Sequence, residues 1–254
     1  MTCIRIRTAL VREPGDRYRD CLSSHPLRKT IDVALAREQH ATYRKTLGEL
    51  GLEVVVMDRN DEHPDSCFVE DTAVAHNGKA VICRPRMESR RGEVRSVEPV
   101  LSKYMPTTRI LAPATLEGGD VVHLPDGLIS GLSARTNEEG VQQMGKALDV
   151  QVSTIEDRSI MHLKSYISYL GGDTVLATGR YADHPVLSRF EKVLVPDEEA
   201  YAANAVSVNG TVIIPDGYPK TAAAIRGAGF DVVPLRMTEF PKCEGAMTCL
   251  SILF

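Results

Sequence analysis

Residues 71–85 read DTAVAHNGKAVICRP, two apolar runs separated by Asn77-Gly78. An Asn-Gly pair in this setting predicts a β-hairpin, because both central residues of a type I′ turn have positive φ angles. The same arrangement recurs around Asp126-Gly127, Gly171-Gly172 and Asn209-Gly210, and each turn follows the previous one by 38 to 49 residues. The spacing therefore predicts one hairpin that is repeated along the chain.

The segment after each hairpin also follows one pattern, a candidate helix and then a short apolar run typical of a strand. The helix candidates are 90–104, 137–148, 184–190 and 219–229, and the strand candidates are 109–113, 149–155, 192–196 and 231–235. Asn137 is well suited to cap the second of these helices, and Pro185 is well placed to begin the third. Each unit is therefore predicted to run strand, strand, helix, strand.

The N-terminal region fits the same unit in permuted order. A strand at 3–10 precedes a helix at 36–51 and a strand at 52–58, and the final strand, 249–254, is expected to pair with the first. We therefore predict an α/β fold of five such units in a single domain over residues 1–254. The alternative is an ordinary α/β sandwich whose regular spacing is accidental.

Composition and charge exclude several classes of function. The 254 residues include 30 Lys and Arg and 34 Asp and Glu, a net charge of −4. This balance argues against a nucleic-acid partner, because such proteins need a basic face. No apolar stretch approaches the roughly 18 residues of a membrane helix, and the beginning of the chain has no apolar signal region. A cytoplasmic protein with no membrane partner is expected.

The cysteines raise the question of whether any one of them is reactive. They are Cys3, Cys21, Cys67, Cys83, Cys243 and Cys249. A disulfide framework is one interpretation, but a long chain with few cysteines and no signal region is more typical of reduced thiols in a cytoplasm. We expect Cys3, Cys67 and Cys83 to be inert core residues. Cys21 and Cys243 are expected to be thiols near a site, without a catalytic role.

Four clusters of polar residues lie near strand or hairpin boundaries, each in a different unit. They are FVED (68–71, with Asp65 just upstream), EGGD (117–120), HLKS (162–165) and GAMTC (245–249). In a closed ring of repeated units, equivalent strand ends converge on the axis. We therefore expect these clusters to form one site on rigid elements.

The four clusters, in this order and with a Cys at the sixth position from the C-terminal end, resemble the guanidine-modifying branch of the pentein superfamily. Within that branch the chain is most similar to the bacterial dimethylarginine dimethylaminohydrolases, through ESRRGE (88–93), SARTNEEG (133–140) and EEAYAAN (198–204). The resemblance covers essentially the whole chain. It implies the pentein fold, a five-bladed α/β propeller of five ββαβ units around a pseudo-five-fold axis.

The resemblance also implies a reaction, the hydrolysis of Nω-methylated L-arginine to L-citrulline and methylamine or dimethylamine. Cys249 would attack the guanidinium carbon, because a thiolate is a better nucleophile than water toward this resonance-stabilised group. His162 would donate a proton to the leaving amine and then activate water. Asp71 and Glu117 would hold the guanidinium nitrogens, and Glu70 would line the same pocket. Neither a cofactor nor a metal is implied.

By the same resemblance, other residues would bind the amino-acid end of the substrate. Arg90 and Arg135 match the clamp of the α-carboxylate, for which the planar guanidinium of arginine is well suited. Asp65 and the backbone around Leu22 would receive the α-amino group. Cys243 is grouped with these candidates because it lies near the nucleophile in the sequence.

The implied partner is a small guanidino amino acid, and a homodimer is left open. Residues 20–25, DCLSSH, resemble the mobile segment over the family's site, so we expect them to form a lid. The sequence leaves the leaving group open among methylamine, dimethylamine, hydroxylamine and ammonia.

Alternative functions share parts of this pattern. Arginine deiminases resemble the chain at EGGD, but they have an Asp where this chain has Lys164. They are also longer, as are amidinotransferases. Agmatine deiminases act on a substrate without a carboxylate, against which Arg90 and Arg135 argue. A non-catalytic pentein binding module would have no need to keep Cys249 and His162 together with Glu117.

Overall fold

Five three-stranded sheets contain all the named strands in the part of the chain that the structure describes. The structure is a computed structural model, and it describes residues 6–254. The strands are β1 (Thr8–Arg12), β2 (Glu53–Met57), β3 (Ala73–His76), β4 (Lys79–Ile82), β5 (Thr107–Arg109), β6 (Val121–Leu124), β7 (Gly127–Leu132), β8 (Val152–Glu156), β9 (Ile167–Gly171), β10 (Thr174–Thr178), β11 (Glu191–Val195), β12 (Val206–Val208), β13 (Thr211–Pro215), β14 (Asp231–Leu235) and β15 (Ser251–Leu253). The α-helices are α1 (Val33–Glu49), α2 (Val94–Leu101), α3 (Glu138–Leu148) and α4 (Pro219–Gly227).

Each sheet contains one antiparallel pair and one parallel pair. In the second unit, β4 pairs antiparallel with β3 across a tight turn and parallel with β5, which follows α2. Asn77 and Gly78 in that turn have φ angles of 49° and 73°, as a type I′ turn requires. The first sheet joins the two ends of the chain, because β15 pairs antiparallel with β1 and places Leu10 opposite Ile252. The predicted five-unit α/β fold is confirmed.

The fourth unit differs from the prediction, because segment 184–190 does not form an α-helix. It contains only a 3-10 turn, Pro185–Leu187, which His184 caps by accepting the Val186 N–H at Nδ1. Residues 179–190 alone connect β10 to β11. This connection is shorter than the one at 216–230, which holds α4 between β13 and β14.

Elsewhere the bounds of the elements differ from the prediction by a few residues. The first strand, predicted from Cys3, begins at Thr8 as β1, and Cys3 lies outside the described residues. α1 begins at Val33, before its predicted start, because the Asp32 side chain accepts two backbone N–H groups of its first turn. The predicted N-cap Asn137 is confirmed at the beginning of α3.

Apolar side chains between the helices and the sheets form the core. α1 buries Ala36, Tyr43 and Leu47 at helical spacing, and they pack in one cluster with residues of β1 and β2. Cys67 and Cys83 are buried free thiols, as expected for core residues. No helix among residues 6–254 is long and apolar enough to cross a membrane.

Short 3-10 turns position the polar clusters. Such turns precede β3, β6, β9 and β15, and they are Val69–Thr72, Gly118–Asp120, Leu163–Ser165 and Thr248–Leu250. Each turn overlaps one of the clusters recognised in the sequence, and turns of neighbouring units are in contact. The clusters therefore meet at one end of the ring of sheets.

The turns approach one another so closely that Gly118 has no room for a side chain. A Cβ atom at this position would overlap the carbonyl oxygen of Glu70, which belongs to the neighbouring turn. We expect Gly118→Ala to lower the free energy of unfolding by about 1–3 kcal/mol, measured by urea denaturation.

Gly48→Ala is the matched control for this prediction. Gly48 lies on the exposed side of α1, and no atom lies within 4 Å of the added Cβ. Because alanine favours the helix, the control should retain or slightly raise the free energy of unfolding. Equal losses in the two variants would contradict the close approach of the turns.

Candidate functional site

A small cavity of about 190 Å³ lies where the 3-10 turns meet. Its lining consists of Glu70, Gly119, Met161, His162, Lys164, Ser165, Asn204, Glu244, Ala246 and Cys249. Of the residues singled out in the sequence, Cys249, His162 and Glu70 line this cavity. Asp71 and Glu117 do not line it, but both contact His162.

Three buried ionisable side chains from three different turns form one cluster. His162 Nε2 lies 2.7 Å from Glu117 Oε2 and 3.7 Å from Asp71 Oδ1. The Gly119 N–H donates to Asp71 Oδ1 at 3.1 Å, and the Arg86 N–H donates to Glu117 Oε1 at 3.0 Å. Gly119 also lets the imidazole pack on the backbone, since a Cβ there would lie 2.7 Å from His162 Cγ. The imidazole is thus fixed by both neighbouring turns.

The cluster is charged at neutral pH. Burial lowers the pKa of His162, but the charge of Asp71 and the hydrogen bond and charge of Glu117 outweigh it and raise that pKa to about 9. Burial raises the pKa of Asp71, but His162 and Arg90 bring it down to about 2. Glu117 is buried as well, and its contact with His162 lowers its pKa. His162 is therefore an imidazolium with a proton to donate.

Cys249 lies in the turn Thr248–Leu250, immediately before β15. Burial raises the pKa of its thiol, and the charges of Glu70 and Asp71 raise it further, whereas the Ala246 N–H at the sulfur lowers it. Without a bound cation the thiol is therefore protonated at neutral pH. A cation in the cavity would offset the carboxylates and favour the thiolate.

A hydrogen-bonded network fixes the backbone of the Cys249 turn. Asn204 donates from Nδ2 to Thr248 Oγ1 at 3.1 Å and accepts the Thr248 N–H at Oδ1 at 2.8 Å. Thr248 Oγ1 donates in turn to Glu70 Oε2 at 2.7 Å, and Lys164 Nζ pairs with Glu70 Oε1. Burial raises the pKa of Glu70, and Lys164 opposes that rise. The carboxylate of Glu70 is thus engaged by Lys164 and Thr248.

The pair of Glu70 and Lys164 also separates two cavities. On its other side lies a cavity of about 1080 Å³ among the inner strands of the ring, and both side chains line that cavity as well as the small one. Lys164, where arginine deiminases have an Asp, therefore forms part of the floor of the candidate site.

Arg90 is buried and pairs with two carboxylates. Its Nη1 donates to Asp71 Oδ2 at 2.8 Å, and Nε and Nη2 donate to the two oxygens of Glu93 at 2.9 and 2.8 Å. Nη2 also donates to the Phe68 carbonyl oxygen at 3.4 Å. Since a guanidinium has five N–H groups, these contacts leave Arg90 one unengaged N–H.

Arg135 is the less engaged of the two candidate clamp residues. Its buried Nη1 makes no hydrogen bond with any of the described residues and lies 3.9 Å from Glu117 Oε1. A buried guanidinium nitrogen without an acceptor is costly. Among the described residues, Arg135 Nη1 can therefore gain an acceptor only at the cost of a small rearrangement or by contact with a bound molecule.

Asp65 and Leu22, grouped by the sequence, are in direct contact. The Leu22 N–H donates to both carboxylate oxygens of Asp65, at 3.1 and 3.2 Å. Burial raises the pKa of Asp65, and Arg90 opposes that rise. The segment predicted to be a lid is thus anchored to a buried carboxylate.

The expectation of reduced thiols is wrong for Cys21 and Cys243, which form a disulfide. Their Cα atoms lie 6.0 Å apart, although the two residues are separated by 222 positions in the sequence. Both side chains are buried in one apolar cluster with Tyr18 and Phe240, which brings them within bonding distance. Cys243 is therefore not a free thiol, and it does not line the small cavity.

Several residues of the site could not be assigned from the sequence. Asn204 and Glu93 lie in stretches that support the family resemblance, but only the structure shows what they contact. Glu244 lines the cavity, and no pattern in the sequence pointed to it. Asp120 accepts the Leu163 N–H at 3.0 Å and so holds the turn that follows His162.

The donor atoms of Asp71, Glu117 and His162 lie within 4.8 Å of one another, a grouping that could hold a metal ion. A ligating histidine must be neutral, whereas the raised pKa of His162 keeps it protonated at neutral pH. The second oxygen of Asp71 is also paired with Arg90. The cluster is therefore better suited to proton transfer and to an organic cation.

Comparison of the sequence identifies similar proteins over most of the chain. A family model described as N,N dimethylarginine dimethylhydrolase, eukaryotic, matches residues 19–177. The chain is 36% identical over 250 residues to the N(G),N(G)-dimethylarginine dimethylaminohydrolase of Pseudomonas aeruginosa, and the match covers 96% of this chain and 98% of that protein.

Two solved structures are similar over nearly the whole chain. One is a cysteine-to-serine mutant of the Pseudomonas aeruginosa enzyme complexed with citrulline, with a TM-score of 0.95 and 35% identity over 99% of this chain and 100% of that one. The other is a histidine-to-glycine mutant of a dimethylarginine dimethylaminohydrolase, solved as an adduct with S-methyl-L-thiocitrulline. Its TM-score is 0.95 and its identity is 35%, over 98% of this chain and 100% of that one. The pentein fold expected from the sequence is confirmed.

The raised pKa of His162 predicts a specific dependence of stability on pH. Because the pKa is about 9 in the folded chain against 6.5 for the free side chain, protonation stabilises the fold below pH 6.5, and this contribution is lost as the pH rises through 9. We expect the free energy of unfolding of the wild-type protein to fall by at most about 3 kcal/mol from this cause between pH 6.5 and 9.

His162→Gln is the matched variant, because its side chain does not titrate. Urea unfolding between pH 6.5 and 9 should show a smaller decrease in the free energy of unfolding for the variant than for the wild type. Identical pH dependence in the two proteins would show that His162 is not held as an imidazolium.

Proposed function

The chain belongs to the dimethylarginine dimethylaminohydrolase family, and we propose on that premise that it hydrolyses Nω-methylated L-arginine to L-citrulline and methylamine or dimethylamine. The observation that carries this proposal is the buried thiol of Cys249 in a cavity beside an imidazolium and two carboxylates. Such a site suits a cationic substrate whose carbon is attacked by sulfur and whose leaving group needs a proton.

The first chemical step joins Cys249 to the guanidinium carbon. Asp71 and Glu117, which contact His162 beside the cavity, are assigned to the N–H groups of the bound cation. The charge of the cation lowers the pKa of the neighbouring Cys249 thiol, which releases its proton to water and becomes the thiolate. The C–S bond forms, the C–N bond to the methylated nitrogen breaks, and His162 donates its proton to the departing amine. The product of this step is a covalent S-alkylthiouronium on Cys249.

Water completes the reaction. The neutral His162 accepts a proton from water as the oxygen adds to the thiouronium carbon, and the second proton is taken up by the released amine in solution. The C–S bond then breaks, the Cys249 thiolate returns, and the ureido group of citrulline remains. His162 acts as acid and then as base because Glu117 fixes its position in both steps.

The arginines and Asp65 give the site its preference for an amino acid. We assign the α-carboxylate mainly to Arg135, whose Nη1 lacks an acceptor, with the remaining N–H of Arg90 in support. Asp65, beside the Leu22 backbone, is placed to receive the α-ammonium group. Agmatine, which has no carboxylate, would leave Arg135 unpaired.

The floor of the cavity favours a methylated over an unmethylated guanidinium. Lys164 stands where the deiminases have a carboxylate, and it engages Glu70, so the floor offers fewer free acceptors. A dimethylated nitrogen has no N–H group that needs an acceptor, whereas the NH₂ group of arginine would leave donors unpaired.

We further propose that residues 1–254 act as a single catalytic domain in the cytoplasm. Gel filtration with light scattering will decide between a monomer and a homodimer.

A substrate panel tests the proposed reaction. Arginine, its monomethylated and asymmetrically dimethylated forms and agmatine are each incubated with the protein, and citrulline and released amine are quantified. We expect the methylated amino acids to give citrulline and the matching amine in equal amounts. Preferred turnover of arginine or agmatine would overturn the assignment.

The nucleophile is tested by Cys249→Ser. We expect loss of turnover by about four orders of magnitude or more, because an alcohol is not ionised at neutral pH and does not form the thiouronium. Cys83→Ala is the control, because Cys83 is a buried free thiol in the core and should be dispensable. Intact mass spectrometry should show the covalent adduct on the wild-type protein and no adduct on Cys249→Ser.

The clamp is tested by Arg135→Ala. We expect KM for a methylated arginine to rise by about 10- to 100-fold, because a charge-assisted contact to the carboxylate is lost, while kcat changes less. Arg91→Ala is the control, because Arg91 pairs with Glu88 on the surface. A variant that keeps the wild-type preference for the amino acid over agmatine would refute the clamp.

A further inference from the structure

The disulfide joins two segments that border the candidate site. We name residues 21–24 the strap, and residues 242–249, which end at the nucleophile, the nucleophile loop. Cys21 is the first residue of the strap, and Cys243 lies in the nucleophile loop. The bond therefore connects the predicted lid covalently to the segment that carries the proposed nucleophile.

Further contacts fasten the strap to the same loop. Ser23 Oγ donates to the Lys242 carbonyl oxygen at 2.9 Å. Ser24 donates to the Glu244 carboxylate twice, from Oγ at 2.7 Å and from its backbone N–H at 3.2 Å. Three of the four strap residues thus contact the nucleophile loop, and the contacts of Ser24 are exposed to water.

The fourth strap residue contacts the proposed substrate site. Leu22 donates its N–H to Asp65, the proposed acceptor of the substrate's α-ammonium group. At the other end of the connection, Glu244 and Ala246 line the small cavity with Cys249. The disulfide therefore lies between a binding element and the wall of the reaction cavity.

The disulfide is the strongest of these connections. Cys21 and Cys243 are buried, whereas Leu22 is exposed, so the strap is covalently fixed beneath its outer surface. Hydrogen bonds that are exposed to water are readily exchanged for bonds to water, and segments held by them open readily. Without the covalent bond, the strap would keep its place through the exposed contacts of Ser24 and the partly buried hydrogen bonds of Leu22 and Ser23.

We propose that the Cys21–Cys243 disulfide is a modification site that positions the strap for substrate binding, so that affinity for the substrate depends on the oxidation state of this pair. The inference rests on the proposed function. Formation oxidises the two thiols to one disulfide, while a small-molecule disulfide is reduced to two thiols by exchange. Cys249 takes no part in this exchange, and the reverse reaction needs a dithiol reductant.

The consequence is confined mainly to binding. Among the described residues the strap makes no hydrogen bond to His162, Glu117 or Asp71, and the Cys249 turn is held separately through Thr248 by Asn204 and Glu70. Opening the strap therefore leaves the reacting groups in place. Reduction should therefore raise KM for the methylated amino acid by about tenfold and change kcat by about twofold or less.

The closing experiment compares wild type with Cys21→Ala/Cys243→Ala, each with and without dithiothreitol. Non-reducing peptide mapping should find the Cys21–Cys243 peptide in untreated wild type. Dithiothreitol should raise the wild-type KM to that of the double variant, and it should leave the double variant unchanged. Cys83→Ala is the matched control and should respond to the reductant as the wild type does. A linked peptide absent from untreated protein, or an unchanged KM on reduction, would overturn the proposal.

Hydrogen exchange separates failure of this proposal from failure of the proposed function. Reduction should increase exchange of the backbone amides of Leu22 and Ser24, and this readout needs neither turnover nor a folded double variant. If reduction speeds exchange in the strap but the protein hydrolyses no methylarginine, the proposed function is overturned and the proposed role of the disulfide stands. If the protein hydrolyses methylarginine but reduction leaves hydrogen exchange in the strap unchanged, the proposed role of the disulfide is overturned and the proposed function stands.

Discussion

Two buried carboxylates, Asp71 and Glu117, impose the constraint on which the rest of the site depends. An ionised carboxylate away from water is costly unless cations and N–H donors surround it. Arg90 pairs with Asp71, His162 contacts both carboxylates, and the Gly119 backbone supplies a further donor. These partners belong to different units of the ring. The free-energy cost of burying the two charged carboxylates is therefore offset only where the turns of those units meet.

The same charges connect recognition of a substrate to activation of the nucleophile. Burial raises the pKa of the Cys249 thiol and the nearby carboxylates raise it further, so the free thiol is a poor nucleophile. A guanidinium cation compensates those carboxylates and so removes the electrostatic part of the rise in pKa. A neutral substrate of the same shape as the guanidinium cation would leave the Cys249 thiol protonated. Discrimination by charge would therefore operate in the chemical step as well as in binding.

Local backbone chemistry made the fold predictable from the sequence. Asn77-Gly78 and Asn209-Gly210 have the positive φ angles predicted for their turns, and the spacing of the turns gave the five units and the places of the polar clusters. The prediction is wrong for Asp126-Gly127, because Gly127 already belongs to β7 and pairs with Leu124. The failures depend on information that is not local. Pairing of Cys21 with Cys243 requires the packing of segments 222 residues apart. The missing helix at 184–190 could not be recognised from its own residues, because Pro185 and the apolar residues after it also suit a short 3-10 turn.

The place of Cys249 makes the proposed chemistry depend on completion of the ring. Cys249, the proposed nucleophile, lies in the turn that precedes β15, and β15 pairs with β1 from the other end of the chain. Contacts between such distant segments form only after a large loss of chain entropy, so this pair is among the most demanding in the fold. Asp71 and Glu117 belong to neighbouring units, whereas the thiol reaches them from the far end of the chain. The pairing of β15 with β1 and the contacts of Thr248 with Asn204 and Glu70 together place it there.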